Sequence, residues 1–172
     1  MKTIKIIVVF IILLLGGMCL MNAQERISLT ALHDLKLGFG LDDEHNNGKS
    51  VLDVIIAVDL EGKQFEWYYF SMQPFYEYAN LQETNYHRYG VNAKWNFNKL
   101  IVDKLVVSPG FGIGMINRKG NEGNGSYQFL VDLSYPIIKD LHFIVRNEYV
   151  RRSDLLTPKL GYNVSVGVKF KL

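Results

Sequence analysis

The sequence has little cysteine, little proline and almost no excess of charge. Its 172 residues include one Cys and 4 Pro, and 19 Lys and Arg stand against 17 Asp and Glu, for a formal net charge of +2. One cysteine excludes an internal disulfide framework. The near-neutral charge excludes nucleic acid as a partner held by bulk electrostatics. Hydrophobic residues make up 48% of the chain and aromatic residues 13%, which is too much for a disordered protein, and the length fits one domain.

The one long hydrophobic run lies at the N terminus. Lys2 and Lys5 flank the start of an unbroken apolar segment, residues 6–15, and mostly small or uncharged residues follow up to Ala23. This order is typical of a secretory signal peptide and predicts cleavage after Ala23, leaving residues 24–172 as the mature domain. A retained membrane anchor is the weaker alternative, because a spanning helix needs about 20 apolar residues.

Cleavage would remove the only cysteine, Cys19, together with Lys2 and Lys5, so that 17 basic and 17 acidic residues remain. The predicted mature chain therefore has no net charge and no disulfide. Met18 stands where a lipoprotein signal would have a small residue before the cysteine, and lipidation of Cys19 stays open as a minor alternative.

Apolar and polar residues alternate with a period of two from Gln24 onward, which is the pattern of β-strands with one apolar face. The pattern is clearest at the C terminus, where Leu160, Tyr162, Val164, Val166 and Val168 alternate with polar residues and glycines. It predicts eight strands, near 27–41, 50–60, 64–78, 87–98, 103–117, 126–136, 140–151 and 159–171. The phase blurs between Phe70 and Tyr78, which predicts a bulge in the third strand.

The predicted connections alternate in length. The segments 42–49, 79–86, 118–125 and 152–158 are long and polar or Gly/Asn-rich, whereas 61–63 and 136–140 are short and 98–102 is intermediate. An even strand count with short turns at one end and longer loops at the other is typical of outer-membrane barrels. We therefore predict an all-β fold: a closed eight-stranded antiparallel up-and-down transmembrane β-barrel.

The orientation of the two faces separates a membrane barrel from a soluble lipocalin-like barrel, which is a second alternative. An eight-stranded barrel has an interior just wide enough for its own side chains. The apolar face is rich in Trp, Phe and Tyr, which are too bulky for that space, so we expect it to face lipid. Each basic residue turned to lipid would cost about 2–4 kcal/mol at mid-membrane.

The polar face is therefore predicted to form a charge network in the lumen. Asp34 and Asp59 lie on the same inward face. We expect Asp132 to pair with Arg146, and Glu66 with Arg88 or Lys94, because buried charges require partners. The predicted network consists of Lys36, Asp53, Glu66, Arg88, Lys94, Asp132, Arg146, Glu148 and Lys169.

Aromatic residues fall near both ends of the predicted strands. Trp95 and Tyr135 lie near short turns, whereas Tyr127, Tyr149 and Tyr162 lie near long loops. Two aromatic belts are expected at the two interfaces of a membrane-spanning barrel.

The last eight residues, SVGVKFKL, resemble the terminal insertion signal of outer-membrane barrels. Gly167, Phe170 and Leu172 occupy its defining positions, although the bacterial signal usually ends in an aromatic residue rather than leucine. With the export signal and the strand count, the mature chain resembles the small OmpA/OmpX-like outer-membrane β-barrel proteins. The resemblance implies a Gram-negative outer membrane, insertion by the barrel-assembly machinery, periplasmic termini and external loops. It also implies contact with lipid and lipopolysaccharide, and we expect a monomer.

We predict no catalysis, no cofactor and no metal. The glycines of SPGFGIG, residues 108–114, precede no helix and so do not form a phosphate-binding loop, and the acidic segment 42–47 is interpreted as a solvated turn. Some barrels of this kind remove acyl chains from lipid A, with a serine two residues from a histidine. In this sequence, none of the four histidines has a serine two residues later, so this motif is absent: the residues two after His33, His45, His87 and His142 are Leu35, Asn47, Tyr89 and Ile144.

An open diffusion pore is excluded because eight strands leave no aqueous channel. The predicted role is structural or based on surface interactions. The alternatives that stay open are a lipid-A-modifying enzyme and, less favoured, a soluble periplasmic lipocalin-like binding barrel.

Overall fold

The computed structural model describes residues 26–35, 39, 52–80, 85–98, 100, 102–118, 121–153 and 159–172. They form eight strands: β1 Arg26–Asp34, β2 Asp53–Glu61, β3 Tyr68–Ala79, β4 Tyr86–Asn98, β5 Val106–Arg118, β6 Asn121–Pro136, β7 Leu141–Arg152 and β8 Lys159–Lys171. Each strand pairs antiparallel with the next, and β8 pairs with β1, so the sheet closes into a barrel. The predicted fold class is confirmed.

The predicted signal peptide, residues 1–23, lies outside the described residues. Within the described ranges, no helix has the length and apolar character needed to cross a membrane.

The seam between the first and last strands is as regular as the other pairings. Ser28 lies opposite Lys171 and Leu32 opposite Gly167, with every residue between them in register. Closure matters because an open sheet edge in hydrocarbon would leave backbone N–H and C=O groups without partners. In this barrel, the edges of β1 and β8 supply hydrogen-bond partners to each other.

The connection between β5 and β6 differs from its prediction as a long loop over residues 118–125. The two strands continue towards each other, and only residues 119–120 separate them. A register shift between Ile116 and Arg118 marks a bulge, and Gly123 adopts a φ of 75°, which favours glycine. The N–H of Gly123 donates to Oδ1 of Asn117 at 2.7 Å. The Gly- and Asn-rich sequence therefore forms a bulged hairpin.

Strand β3 is regular, so the predicted bulge in it is wrong. Its register against β2 is constant from Asp53 opposite Ala79 to Glu61 opposite Ser71. The sequence pattern blurs because aromatic residues occupy both faces of this strand, with Tyr69 and Phe75 buried inside the barrel and Tyr76 exposed outside. Alternation of apolar and polar residues cannot reveal the phase of such a strand.

The barrel has a charged interior and an apolar exterior. Arg146 and Lys94 are 0% and 1% exposed, whereas Trp95 is 49% exposed. Other large apolar residues on the outer surface include Leu29, Ile56, Phe111, Phe129, Val131, Phe143, Val168 and Phe170. A soluble barrel requires the reverse arrangement, and so large an apolar outer surface is stable only in contact with lipid or detergent.

Candidate functional site

The half of the lumen nearest the short turns holds a balanced set of charges, which we call the inner cluster: Asp59, Glu61, Lys94, Asp132, Arg146 and Lys169. Arg146 binds Asp132 through two hydrogen bonds, with Nε donating to Oδ1 at 2.7 Å and an NH2 group donating to Oδ2 at 2.8 Å. The two residues lie directly opposite each other on β6 and β7, so strand register alone brings them together. Paired, two-point contacts of this kind are the strongest form of ion pair.

Lysines complete the inner cluster across the lumen. Lys94 Nζ lies 2.5 Å from Asp59 Oδ1 and 3.2 Å from Asp132 Oδ2. Lys169 Nζ lies 2.8 Å from Glu61 Oε1 and 3.7 Å from Asp59 Oδ2. Every base therefore contacts at least one acid of the cluster, and three bases face three acids.

Three buried amides separate the inner cluster from the charges nearer the loops. We call them the amide bridge: Gln73, Asn92 and Gln128. Asn92 Nδ2 donates to Gln73 Oε1 at 3.0 Å, and Gln128 Nε2 donates to Asn92 Oδ1 at 2.6 Å. Gln73 also accepts a hydrogen bond from Arg146 at 2.7 Å and donates to Asp59 at 2.9 Å. The bridge thus extends the network across the centre of the barrel without adding charge.

The half of the lumen nearest the loops holds the outer cluster: Asp53, Glu77, Arg88 and Glu148. The guanidinium of Arg88 donates to Gln128 Oε1 at 2.5 Å and to Glu148 Oε1 at 2.8 Å, and it also pairs with Glu77. The hydroxyl of Tyr86 donates to Glu77 at 2.5 Å. Arg88 therefore joins the outer cluster to the amide bridge.

Acidic groups outnumber fully buried bases in the outer cluster. Asp53 is 1% exposed, and its Oδ1 has no hydrogen-bond partner among the described residues. It lies in the electrostatic field of Glu77, Asp34, Arg88 and Glu148, of which only Arg88 is basic. The Oε2 atom of Glu148 also lacks a partner within the described ranges. In the inner cluster, Asp59 Oδ1 and an Arg146 NH group likewise lack a described hydrogen-bond partner, although Lys94 Nζ lies 2.5 Å from Asp59 Oδ1. The two halves of the lumen therefore differ in the balance of acids and bases rather than in the number of unpartnered atoms.

The structure places most of the predicted lumen residues inside the barrel. The side chains of Asp53, Arg88, Lys94, Asp132, Arg146, Glu148 and Lys169 are all buried there. Lys36 lies outside the described residues. Glu66 requires a correction, because it is exposed in the turn between β2 and β3 and does not reach Arg88 or Lys94.

Sequence reasoning missed Glu61, Glu77 and the three amides. Glu61 is the last residue of β2 rather than part of the turn, and Glu77 lies on the strand whose phase was blurred. The signal that could have found Glu77 is its spacing of two from Phe75 and from Ala79, because residues two apart in a strand share a face and all three side chains are buried.

The structure describes one small cavity in the lumen. A cavity of about 10 Å³ lies near the short turns and is lined by residues that include Ser134, His142 and Lys169. It has room for about one water molecule. Ser134 Oγ lies 3.3 Å from His142 Nδ1, but both side chains are buried and none of the described hydrogen bonds links His142 to a carboxylate. A nucleophilic triad needs such an acid and access for a substrate.

Metal-binding geometry is also missing from the parts of the chain that the structure describes. No group of three or more His, Cys, Asp or Glu side chains there is placed to hold a metal ion. The acidic segment 42–47 lies outside the described residues.

The residues of the insertion signal lie on β8 or directly after it. Phe170 and Leu172 point outward and are 45% and 74% exposed, whereas Gly167 lies between Leu32 and Ile144 of the neighbouring strands. Phe170 and Leu172 thus continue the apolar exterior at the short-turn end.

Comparison with protein-family models finds no match, and neither does comparison with curated protein sequences. Among solved structures, the outer membrane protein Ail of Yersinia pestis in a phospholipid nanodisc is similar, with a TM-score of 0.54 and 12% identity over 86% of this chain and 100% of that chain. Neisserial surface protein A has a TM-score of 0.53 and 13% identity over 86% of this chain and 96% of its own. The outer membrane enzyme PagL has a TM-score of 0.50 and 10% identity over 84% and 98%. These likenesses show the fold, and they confirm the predicted resemblance to small eight-stranded outer-membrane barrels.

Proposed function

We propose that this chain is a non-catalytic integral protein of the Gram-negative outer membrane. It acts through its external loops or by supporting the envelope, and it is surrounded by lipid and lipopolysaccharide as a monomer. The barrel-assembly machinery inserts it, and Gly167, Phe170 and Leu172 serve as the insertion signal.

The observation that supports this proposal is the filled lumen. The inner cluster, the amide bridge and the outer cluster form one connected set of hydrogen bonds from the short turns towards the loops. Ions would have to break these contacts to pass, and breaking a buried pair costs about 3–5 kcal/mol. The described outward-facing positions, in contrast, are mostly apolar or aromatic.

The experiment combines a location test with a conductance test. We expect the expressed protein to stay in the outer-membrane fraction after a carbonate wash, and the purified barrel to give no conductance steps in a planar bilayer. A general porin in the same bilayer is the positive control. Release by carbonate would contradict an integral protein, and steady conductance steps would contradict a filled lumen.

A second candidate is a lipid-A-modifying enzyme, and the likeness to the outer membrane enzyme PagL favours it. Mass spectrometry of lipid A from cells with and without the protein distinguishes the two candidates. We expect identical spectra for cells with and without the protein. Loss of an acyl chain only when the protein is present would establish the enzyme.

A further inference from the structure

Among the described outward-facing strand positions, Arg151 is the one Lys, Arg, Asp or Glu residue. The other described outward positions of the eight strands hold apolar, aromatic or polar residues. Arg151 is exposed near the loop end of β7. A basic residue facing lipid is costly at mid-membrane but costs little at the interface. Arg151 is therefore expected at the membrane interface rather than at mid-membrane.

The described contacts of Arg151 come from one tyrosine. Its guanidinium lies 5.5 Å from the ring centroid of Tyr127, and NH1 donates to the hydroxyl of Tyr127 at 3.2 Å. No acidic residue in the described ranges forms an ion pair with it. A guanidinium has five N–H donors, and the described hydrogen bond uses one of them.

Three more polar groups continue this surface: Asn147 and Tyr149 on β7 itself, and Tyr162 on the neighbouring β8. The rings of Tyr149 and Tyr162 lie 4.9 Å apart, and the Tyr162 hydroxyl donates to Oδ1 of Asn147 at 2.8 Å. The set is called the β6–β8 patch: Tyr127, Asn147, Tyr149, Arg151 and Tyr162.

The height of the patch matches the outer membrane boundary. Arg151 lies ten residues above the start of β7 at Leu141, which at the usual rise and tilt of barrel strands is about 25 Å along the barrel axis. The apolar band of such barrels is also about 25 Å tall. Asn147 lies about 10 Å lower, so the patch runs from the headgroup level into the region where acyl chains are joined to the headgroup.

We infer that the β6–β8 patch binds the phosphorylated headgroup of an outer-leaflet glycolipid. Arg151 pairs with a phosphate, Tyr127 orients the guanidinium, and Asn147 Nδ2 donates to a carbonyl that links an acyl chain. Guanidinium and phosphate match in charge and in hydrogen-bond geometry. This inference rests on the proposed membrane location and adds a specific ligand to it.

Lipid retention tests the inference. Barrels are reconstituted in nanodiscs of phosphatidylcholine doped with diphosphoryl or monophosphoryl lipid A, and the lipids that stay bound are counted by native mass spectrometry. We expect wild type to retain the diphosphoryl form and Arg151→Gln to bind it about tenfold more weakly, as a lost charged hydrogen bond predicts. Tyr127→Phe should cause a smaller loss.

Lys139→Gln is the matched control, since it removes the same charge from an exposed turn at the opposite end of the same hairpin. Equal retention by wild type and Arg151→Gln, or an equal loss in Lys139→Gln, would overturn the inference. A dimer that disappears in Arg151→Gln without a change in bound lipid would also overturn it and identify the patch as a contact between copies. If the barrel inserts normally but shows no lipid preference, this inference fails while the proposed function stands; if it does not insert, the proposed function fails first.

Discussion

The inner and outer clusters both bury charged side chains, but acids and bases are balanced only in the inner cluster. In the inner cluster, three bases contact three acids, and Asp132 alone receives two hydrogen bonds from Arg146 and an ion pair from Lys94. In the outer cluster, Arg88 is the one fully buried base among the described residues, and an oxygen of Asp53 has no described partner. Since a buried charge is stable only when it is paired, the inner cluster should carry most of the stability that the lumen provides.

The largest effect is expected from Arg146→Met. The substitution removes the base that binds Asp132 and Gln73 and leaves a buried carboxylate with fewer partners, which should lower the free energy of unfolding by about 3–5 kcal/mol. Urea unfolding in lipid vesicles, followed by tryptophan fluorescence, measures this change. The double variant Arg146→Met/Asp132→Leu should recover at least half of the loss, because an apolar replacement removes the unpaired charge. A loss that persists unchanged in the double variant would contradict the ion-pair explanation.

A matched pair of carboxylate substitutions compares the two clusters directly. Asp132→Asn should lower the free energy of unfolding by about 1.5–3 kcal/mol, because it weakens charged hydrogen bonds to Arg146 and Lys94. Asp53→Asn should leave stability unchanged or raise it, because Asp53 Oδ1 has no described partner. The same unfolding assay applies to both variants. Equal losses in the two would show that the clusters do not differ as described.

Gly112→Ala tests the amide bridge between the clusters. An added Cβ would overlap the amide oxygen of Asn92 and lie 2.8 Å from Cγ of Gln128, two side chains that are hydrogen-bonded to each other. We expect a loss of about 1–2 kcal/mol from overpacking. Gly125→Ala is the control, since nothing lies within 4 Å of its added Cβ. Similar losses in both variants would point to strand propensity rather than the bridge.

The smallest effect is expected from salt. Buried pairs are screened far less than exposed ones, so raising sodium chloride from about 0.1 to 1 M should not change the difference in stability between wild type and Arg146→Met. Unfolding midpoints at both salt concentrations provide the check. A difference that shrinks at high salt would indicate that solvent reaches the inner cluster.

The strand count and the orientation of the barrel were predictable because alternation continues over most strands. The pairing of Asp132 with Arg146 follows from neighbouring strands with the same inward phase. Glu66 was misplaced because β3 has aromatic residues on both faces, and a one-residue change of phase exchanges the two sides of a strand. The contacts across the lumen, such as Lys94 with Asp59, depend on barrel closure and could not be read from neighbouring strands.

The regular seam between β1 and β8 has a consequence for how the protein is made. While the chain is being synthesised, β8, the partner of the first strand, is produced only after the other seven strands. Every nascent or truncated form therefore has two unpaired edges and an apolar surface, and it is prone to join with other copies. A premature stop codon within β8 should yield an aggregate that chaperones hold and proteases remove, rather than a smaller barrel.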